Sequence, residues 1–131
     1  MEYWKKYYDE AASYSKAAFG AFNNQRLGNH VVYNLIGLAN ENYLTALCMK
    51  LDVLPEHSSI NSMLRLLKKQ IEIPETFPVE SRFINKFMNF CSLEVLETPE
   101  PSNSDLVRML SFTDDVRVFV EDFLGVKAAN V

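Results

Sequence analysis

Apolar residues recur at three- and four-residue steps along almost the whole chain, and that period commits it to helices. Trp4, Tyr8, Ala11, Ser15, Ala18 and Phe22 form one face, flanked by Tyr7, Tyr14 and Phe19. The spacing predicts a helix over about Glu2 to Phe22. Asn23 to Asn29 then reads as a short connection, in which Gly28 and the asparagines suit the left-handed backbone that ends helices. The next segment, about Asn29 to Leu51, is the most apolar. Val32, Leu35, Ile36, Ala39, Tyr43, Ala46 and Leu47 make a broad stripe, and Val31, Leu38, Leu44 and Met49 widen it nearly all the way round. A helix of that kind is central, or serves a core and an interface together.

The remaining segments are shorter. Leu54-Pro55-Glu56-His57 breaks the pattern, because proline disfavours helix at the residue before it. Ser58 or Ser59 is placed to cap a third helix carrying Ile60, Met63, Leu64, Leu67 and Ile71. Glu72 to Pro78 connects it to a fourth helix, with Thr76 as its expected cap and Phe83, Ile84, Phe87, Met88 and Cys91 on its apolar side. Glu94 to Ser104 reads as an exposed loop. A single turn is expected from Ser104-Asp105 through Leu110. Thr113-Asp114-Asp115 then combines a cap with two acids facing the helix dipole, and predicts the start of a last helix that ends at Gly125. The expectation is an all-α, up-and-down bundle of about five helices, two long and three shorter. It forms a single domain over 1–125, with 126–131 as a frayed tail.

Composition narrows the function classes. The chain has 131 residues, 48% of them hydrophobic, with 4 glycines and 5 prolines, so it can bury one core and is not a disordered linker. Its formal charge of -4 disfavours a nucleic-acid role. The densest basic group, Arg65, Lys68 and Lys69, reads as a solvated helix face. Cys48 and Cys91 stand far apart with no CxxC spacing, so they read as small core hydrophobes rather than metal ligands. The N-terminus lacks the order of a signal peptide, and no apolar run approaches the roughly 20 residues that span a bilayer. A reduced cytoplasmic setting, without membrane contact, is expected.

Few residues offer chemistry. His30, Asn34, Glu41 and Thr45 fall near one stripe of the second helix, with Gly37 between them where another backbone could approach closely. This stripe is either a polar groove with Glu41 as its acid, an internal hydrogen-bonded seam, or a polar strip at a dimer contact. If Glu41 is buried it must be hydrogen-bonded, paired or neutral. His57 is either a phosphate contact or base beside a helix start, or a loop residue that fixes the turn. Neither histidine has a glutamate three residues before it, and HExxH, P-loop, GxGxxG and GxSxG patterns are absent. No catalytic residue, metal or cofactor is implied.

The helix pair around Leu54-Pro55-Glu56-His57 resembles the HEPN (higher eukaryotes and prokaryotes nucleotide-binding) superfamily. Members carry a run like A-x-E-x-x-L-x-A-L, here Ala39, Glu41, Leu44, Ala46 and Leu47. A short loop with P-x-H follows, here Pro55 and His57, and then an apolar helix, here Ile60, Leu64 and Leu67. Trp4, Tyr8, Ala11 and Ala12 match the aromatic and alanine character of the family's first helix. The resemblance implies a four- or five-helix bundle, often a homodimer. Many members are ribonucleases or toxins with an R-x(4–6)-H signature. No histidine follows His57, so Arg82, Arg108 and Arg117 lack that partner, and Arg26 and His30 are too close together and too early. The resemblance therefore implies a non-catalytic member that pairs with a nucleotidyltransferase or binds a nucleotide, with Glu41 and His57 as its matched residues and His30 and Asn34 as neighbours. A divergent ribonuclease and a small-ligand-binding bundle are the alternatives.

Overall fold

Small residues decide how the first two helices meet. In the computed structural model, which describes residues 3–88 and 100–126, α1 spans Trp4–Asn24 and α2 spans Asn29–Lys50. The fully enclosed positions of α1 are Ala11, Ser15 and Ala18, so its backbone lies close to α2. The aromatics of α1, among them Trp4, Tyr7, Tyr8 and Tyr14, are only half-buried and roof the edges of that contact. The residue that turns left-handed after α1 is Gln25 (φ 52°), not Gly28 or an asparagine as expected. Its N–H reaches back to the Ala21 carbonyl at 3.0 Å, and this bond offsets the steric cost of the conformation. Gly28 instead takes the extended N-cap position of α2.

Three elements complete the chain: α3 (Ile60–Lys68), α4 (Thr76–Asn85) and α5 (Asn103–Leu124). The all-α bundle of five helices is as the periodicity implies, but three helices are long and two short. Ser59 caps α3, its hydroxyl accepting from the Ser62 N–H at 3.2 Å. The N-cap of α4 is Glu75 rather than Thr76, and its side chain makes no cap bond. Pro78 therefore lies in the first turn of α4, where a missing N–H costs nothing. A capping box starts α5: Asp105 N–H donates to the Ser102 hydroxyl at 3.1 Å, and Ser102 N–H donates to the Asp105 carboxylate at 2.9 Å. The expected loop from Glu94 to Ser104 falls largely, and Cys91 and residues 127–131 of the tail wholly, outside the described residues.

The main departure is at Thr113. Its threonine-acid-acid signal does not start a helix, because α5 runs unbroken through it for 22 residues. The hydroxyl is satisfied inside the helix: it donates to the Met109 carbonyl at 3.0 Å and accepts from the Asn40 amide of α2 at 3.0 Å. Asn40 also donates to the Ile36 carbonyl at 3.0 Å, and both Asn40 and Thr113 are completely buried. Asp114 pairs with Arg117 at 3.5 Å instead of capping.

These bonds also fix direction. Asn29 meets Pro101 and Asn103 at one end, and Asn40 meets Thr113 in the middle, so α2 and α5 run parallel. The short link from Gln25 to Gly28 makes α1 and α2 antiparallel. The Tyr8 hydroxyl accordingly reaches the far end of α5 and donates to Glu121 at 2.7 Å, while Arg117 donates to the other Glu121 oxygen at 3.0 Å. Glu121 is buried and so needs both partners. Between α4 and α5, Arg108 grips Glu80 with two bonds of 2.8 and 2.9 Å and stacks on Phe83 at 3.8 Å.

Two outcomes are expected. Thr113→Val strands a buried Asn40 donor and should cost about 1–3 kcal/mol in urea unfolding. Adding Asn40→Leu should recover part of that loss, and simple additivity would show that the two side chains do not interact. Burial and Glu121 together raise the Tyr8 phenol above its ordinary 10.0. The folded protein thus keeps a proton that the unfolded chain loses, so stability should fall as pH rises past 10.0. Tyr8→Phe should flatten that fall; an unchanged alkaline profile would contradict it.

Candidate functional site

α2 is covered by α1, α3 and α5 on most of its circumference. The strip left open carries Asn34, Gly37, Leu38 and Glu41. α3 and α4 rise on the far side of this strip without closing over it. The result is a cleft of about 370 Å³ whose other walls come from Tyr33, Ser59, Ile60, Asn61, Ser81, Ile84, Asn85 and Met88.

Two hydrogen bonds pin the walls. The Tyr33 hydroxyl of α2 donates to the Ile84 carbonyl of α4 at 2.8 Å. The buried Ser81 hydroxyl of α4 donates to the Asn61 amide oxygen of α3. The spacing of α3 and α4 across the cleft is thereby set by polar contacts at its base. Leu38, Ile60, Ile84 and Met88 supply apolar surface. Asn34 and Asn85 are exposed and use no side-chain hydrogen bond within the described residues, so each offers a donor and an acceptor.

Gly37 does not admit a close backbone, as the spacing suggested. A methyl group built on its Cα would meet no heavy atom within 4 Å. Its missing side chain leaves open space in the cleft. Glycine inside a helix costs about 0.5–1 kcal/mol relative to alanine, and no packing contact here requires it.

Glu41 is half-buried and its carboxylate has no hydrogen-bond or ion-pair partner among the described residues. Burial alone raises its pKa above the ordinary carboxylate value, so the charged form carries an uncompensated desolvation cost. No His, Cys, Lys or Arg lines this cleft among the described residues, and the Tyr33 phenol that does line it is committed to the Ile84 carbonyl.

The other sequence candidates separate. His30, one turn before Asn34, is exposed and outside the cleft. Its backbone N–H donates to Glu100 at 3.2 Å and its Nδ1 lies 3.5 Å from the same carboxylate, so it anchors the start of α2. Thr45 turns its hydroxyl onto the Glu41 carbonyl at 2.7 Å. His57 is exposed and lines a different hollow, with Arg65 and Lys69 of the α3 region. Glu41, which with His57 carries the family resemblance, also borders a shallow hollow with Pro55, Glu56 and Ser58 of the His57 loop, but His57 itself faces Arg65 and Lys69.

Ser81, Asn61 and Asn85 were missed by sequence reasoning. The available signal was Ser81, a polar residue in the apolar stripe of Phe77, Ile84 and Met88. Among the described residues no group of His, Cys, Asp or Glu is arranged to hold a metal, and no helix is long and apolar enough to cross a membrane. Burial pushes the Cys48 thiol up to about 11, so it packs as a hydrophobe.

The raised Glu41 pKa has a signed consequence. The folded state holds this proton longer than the unfolded chain, so its contribution is complete below 4.5 and is lost as pH rises through the folded value. Glu41→Gln, which mimics the neutral acid, should match the parent protein at acid pH and exceed its stability at pH 7. A Glu41→Gln protein less stable than the parent at pH 7 would mean that the carboxylate is paired in solution.

Compared with family models, with curated proteins and with solved structures, the chain matches none.

Proposed function

We propose that this chain is a non-catalytic binding domain whose α2–α3–α4 cleft takes a small organic ligand. The observation that carries the reading is Glu41: a half-buried carboxylate without a partner, beside a helical glycine that leaves room in front of it. Such a carboxyl gains most from a ligand that brings N–H or O–H donors, because they replace the water it gave up. The apolar walls and flanking amides suit a flat, partly polar body. The HEPN resemblance supplies a ligand class with those properties, the base of a nucleotide. The absence of an R-x(4–6)-H pair from the sequence, and of His, Lys or Arg from the cleft among the described residues, supports binding rather than RNA cleavage.

A second reading rests on Leu38 and Met88, which are 39% and 56% exposed at the cleft rim. Apolar side chains left open there also suit a second copy of the chain, or a nucleotidyltransferase partner of the kind that the resemblance implies.

Thermal unfolding in the presence of unphosphorylated nucleosides tests the first reading. A nucleoside at 100 times its Kd adds about 2.7 kcal/mol of stability. Gly37→Ala should stabilise the free protein by about 0.5–1 kcal/mol, and Gly37→Leu should fill the cleft and abolish the nucleoside effect. If millimolar nucleosides leave the parent protein unmoved, the base-binding reading fails. If Met88→Asp then changes the sedimentation coefficient, the rim is a protein interface.

A further inference from the structure

The cleft does not end at Asn61. That residue also forms one side of a second groove of about 320 Å³, lined by Leu64, Arg65, Lys68, Ile73, Pro78 and Arg82. The charge changes sign across this boundary. Among the described residues the one charged side chain lining the cleft is an acid, Glu41, whereas those lining the groove are all basic: Arg65, Lys68 and Arg82.

What sets these cations apart is that three of them converge on one concave surface. The protein carries a formal charge of -4, and of its five arginines Arg108 pairs with Glu80 and Arg117 with Asp114 and Glu121, while Arg26 stands alone and exposed between α1 and α2. Arg65, Lys68 and Arg82 form no ion pair among the described residues. Glu72 and Glu75, on the connection between α3 and α4, neither line the groove nor pair with them. Two separate helices supply the charges, and the Ser81–Asn61 bond clamps those helices together at the groove's inner end. A solvated helix face would not need Arg82 to converge from α4, nor a concave floor of Leu64, Ile73 and Pro78 between the charges.

The geometry points to an anion site continuous with the cleft: we propose that Arg65, Lys68 and Arg82 bind the phosphate end of the ligand whose body lies against Glu41. The proposal rests on the cleft being the ligand site. Asn61, Arg65 and Lys68 follow one face of α3 in steps of four and three. At a rise of about 1.5 Å per residue they track roughly 10 Å from the cleft mouth, a run that a di- or triphosphate chain covers. Arginine forks suit phosphate oxygens, and lysine adds a compact charge. Orientation follows from sign. Glu41 repels phosphate and attracts donors, the groove does the reverse, and a ligand with a donor-bearing head and an anionic tail fits in one direction only.

Calorimetry at low salt, with inorganic tripolyphosphate and with paired nucleosides and nucleoside triphosphates, tests this. Tripolyphosphate should bind the parent protein and bind the triple variant R65Q/K68Q/R82Q at least about tenfold more weakly. Added salt should weaken it further. Any nucleoside that binds should gain affinity as its triphosphate, and the triple variant should erase that gain without weakening the nucleoside itself. Lys69→Gln, at the C-cap of α3 but outside the groove, should leave tripolyphosphate binding intact, which separates a site from a general charge effect. Equal tripolyphosphate binding by the parent and the triple variant, or none by the parent, would overturn the groove while leaving a nucleoside-binding cleft standing. Tripolyphosphate binding without any nucleoside binding would uphold the anion site and remove the cleft reading on which its ligand assignment rests.

Discussion

Enclosure of α2 is the constraint on which the rest depends. A helix with apolar residues nearly all round is stable in water only if other elements cover most of it. α1 does so with a row of alanine and serine that permits close approach, α5 does so beside it, and α3 packs from a further direction. What they leave open is one strip, and it carries Asn34, Gly37, Leu38 and Glu41. The cleft is thus the remainder of a packing problem. Its position follows from which side of α2 was not needed for the core.

Polar groups then specify the arrangement that apolar burial alone would leave loose. Asn40 and Thr113 fix the register of α2 against α5 from inside the core. Tyr8, Arg117 and Glu121 fix the far end of α5 against α1. Ser81 with Asn61, and Tyr33 with the Ile84 backbone, fix the short helices. Each pair contains a group that would be expensive to bury alone, so a shifted packing is penalised more than the native one is rewarded.

Periodicity alone was enough to read most of the helices, because helix period and burial report the same face. It placed α1, α2 and α3 close to their observed spans, and offered Ser58 or Ser59 as the cap of α3, of which Ser59 serves. It failed at Thr113, because a threonine preceding two acids looks alike whether its hydroxyl caps a helix or bonds back to the previous turn. Only Asn40, 73 residues away, decides between those uses. The same limit applies to the cleft. Asn34, Gly37 and Glu41 share a strip by spacing alone, but the opposite wall is set by tertiary packing. Ser81 and Asn61 meet across 20 residues, and no local pattern announces it. His30 fell on the strip by arithmetic but does not line the cleft; it meets Glu100 instead.

The parallel alignment of α2 and α5 bears on the order in which the molecule assembles. α1 and α2 are joined by a tight link, so their hairpin forms from contacts that are near in sequence and cheap in chain entropy. The pairing of α5 with α2 must wait for a much longer loop to close. In the folded molecule the cost of a wrong register is concentrated at one point: an α5 shifted so that no oxygen reaches the level of Asn40 leaves that enclosed amide without this partner. A single polar residue in the core thereby discriminates among alignments that apolar packing would treat as nearly equal.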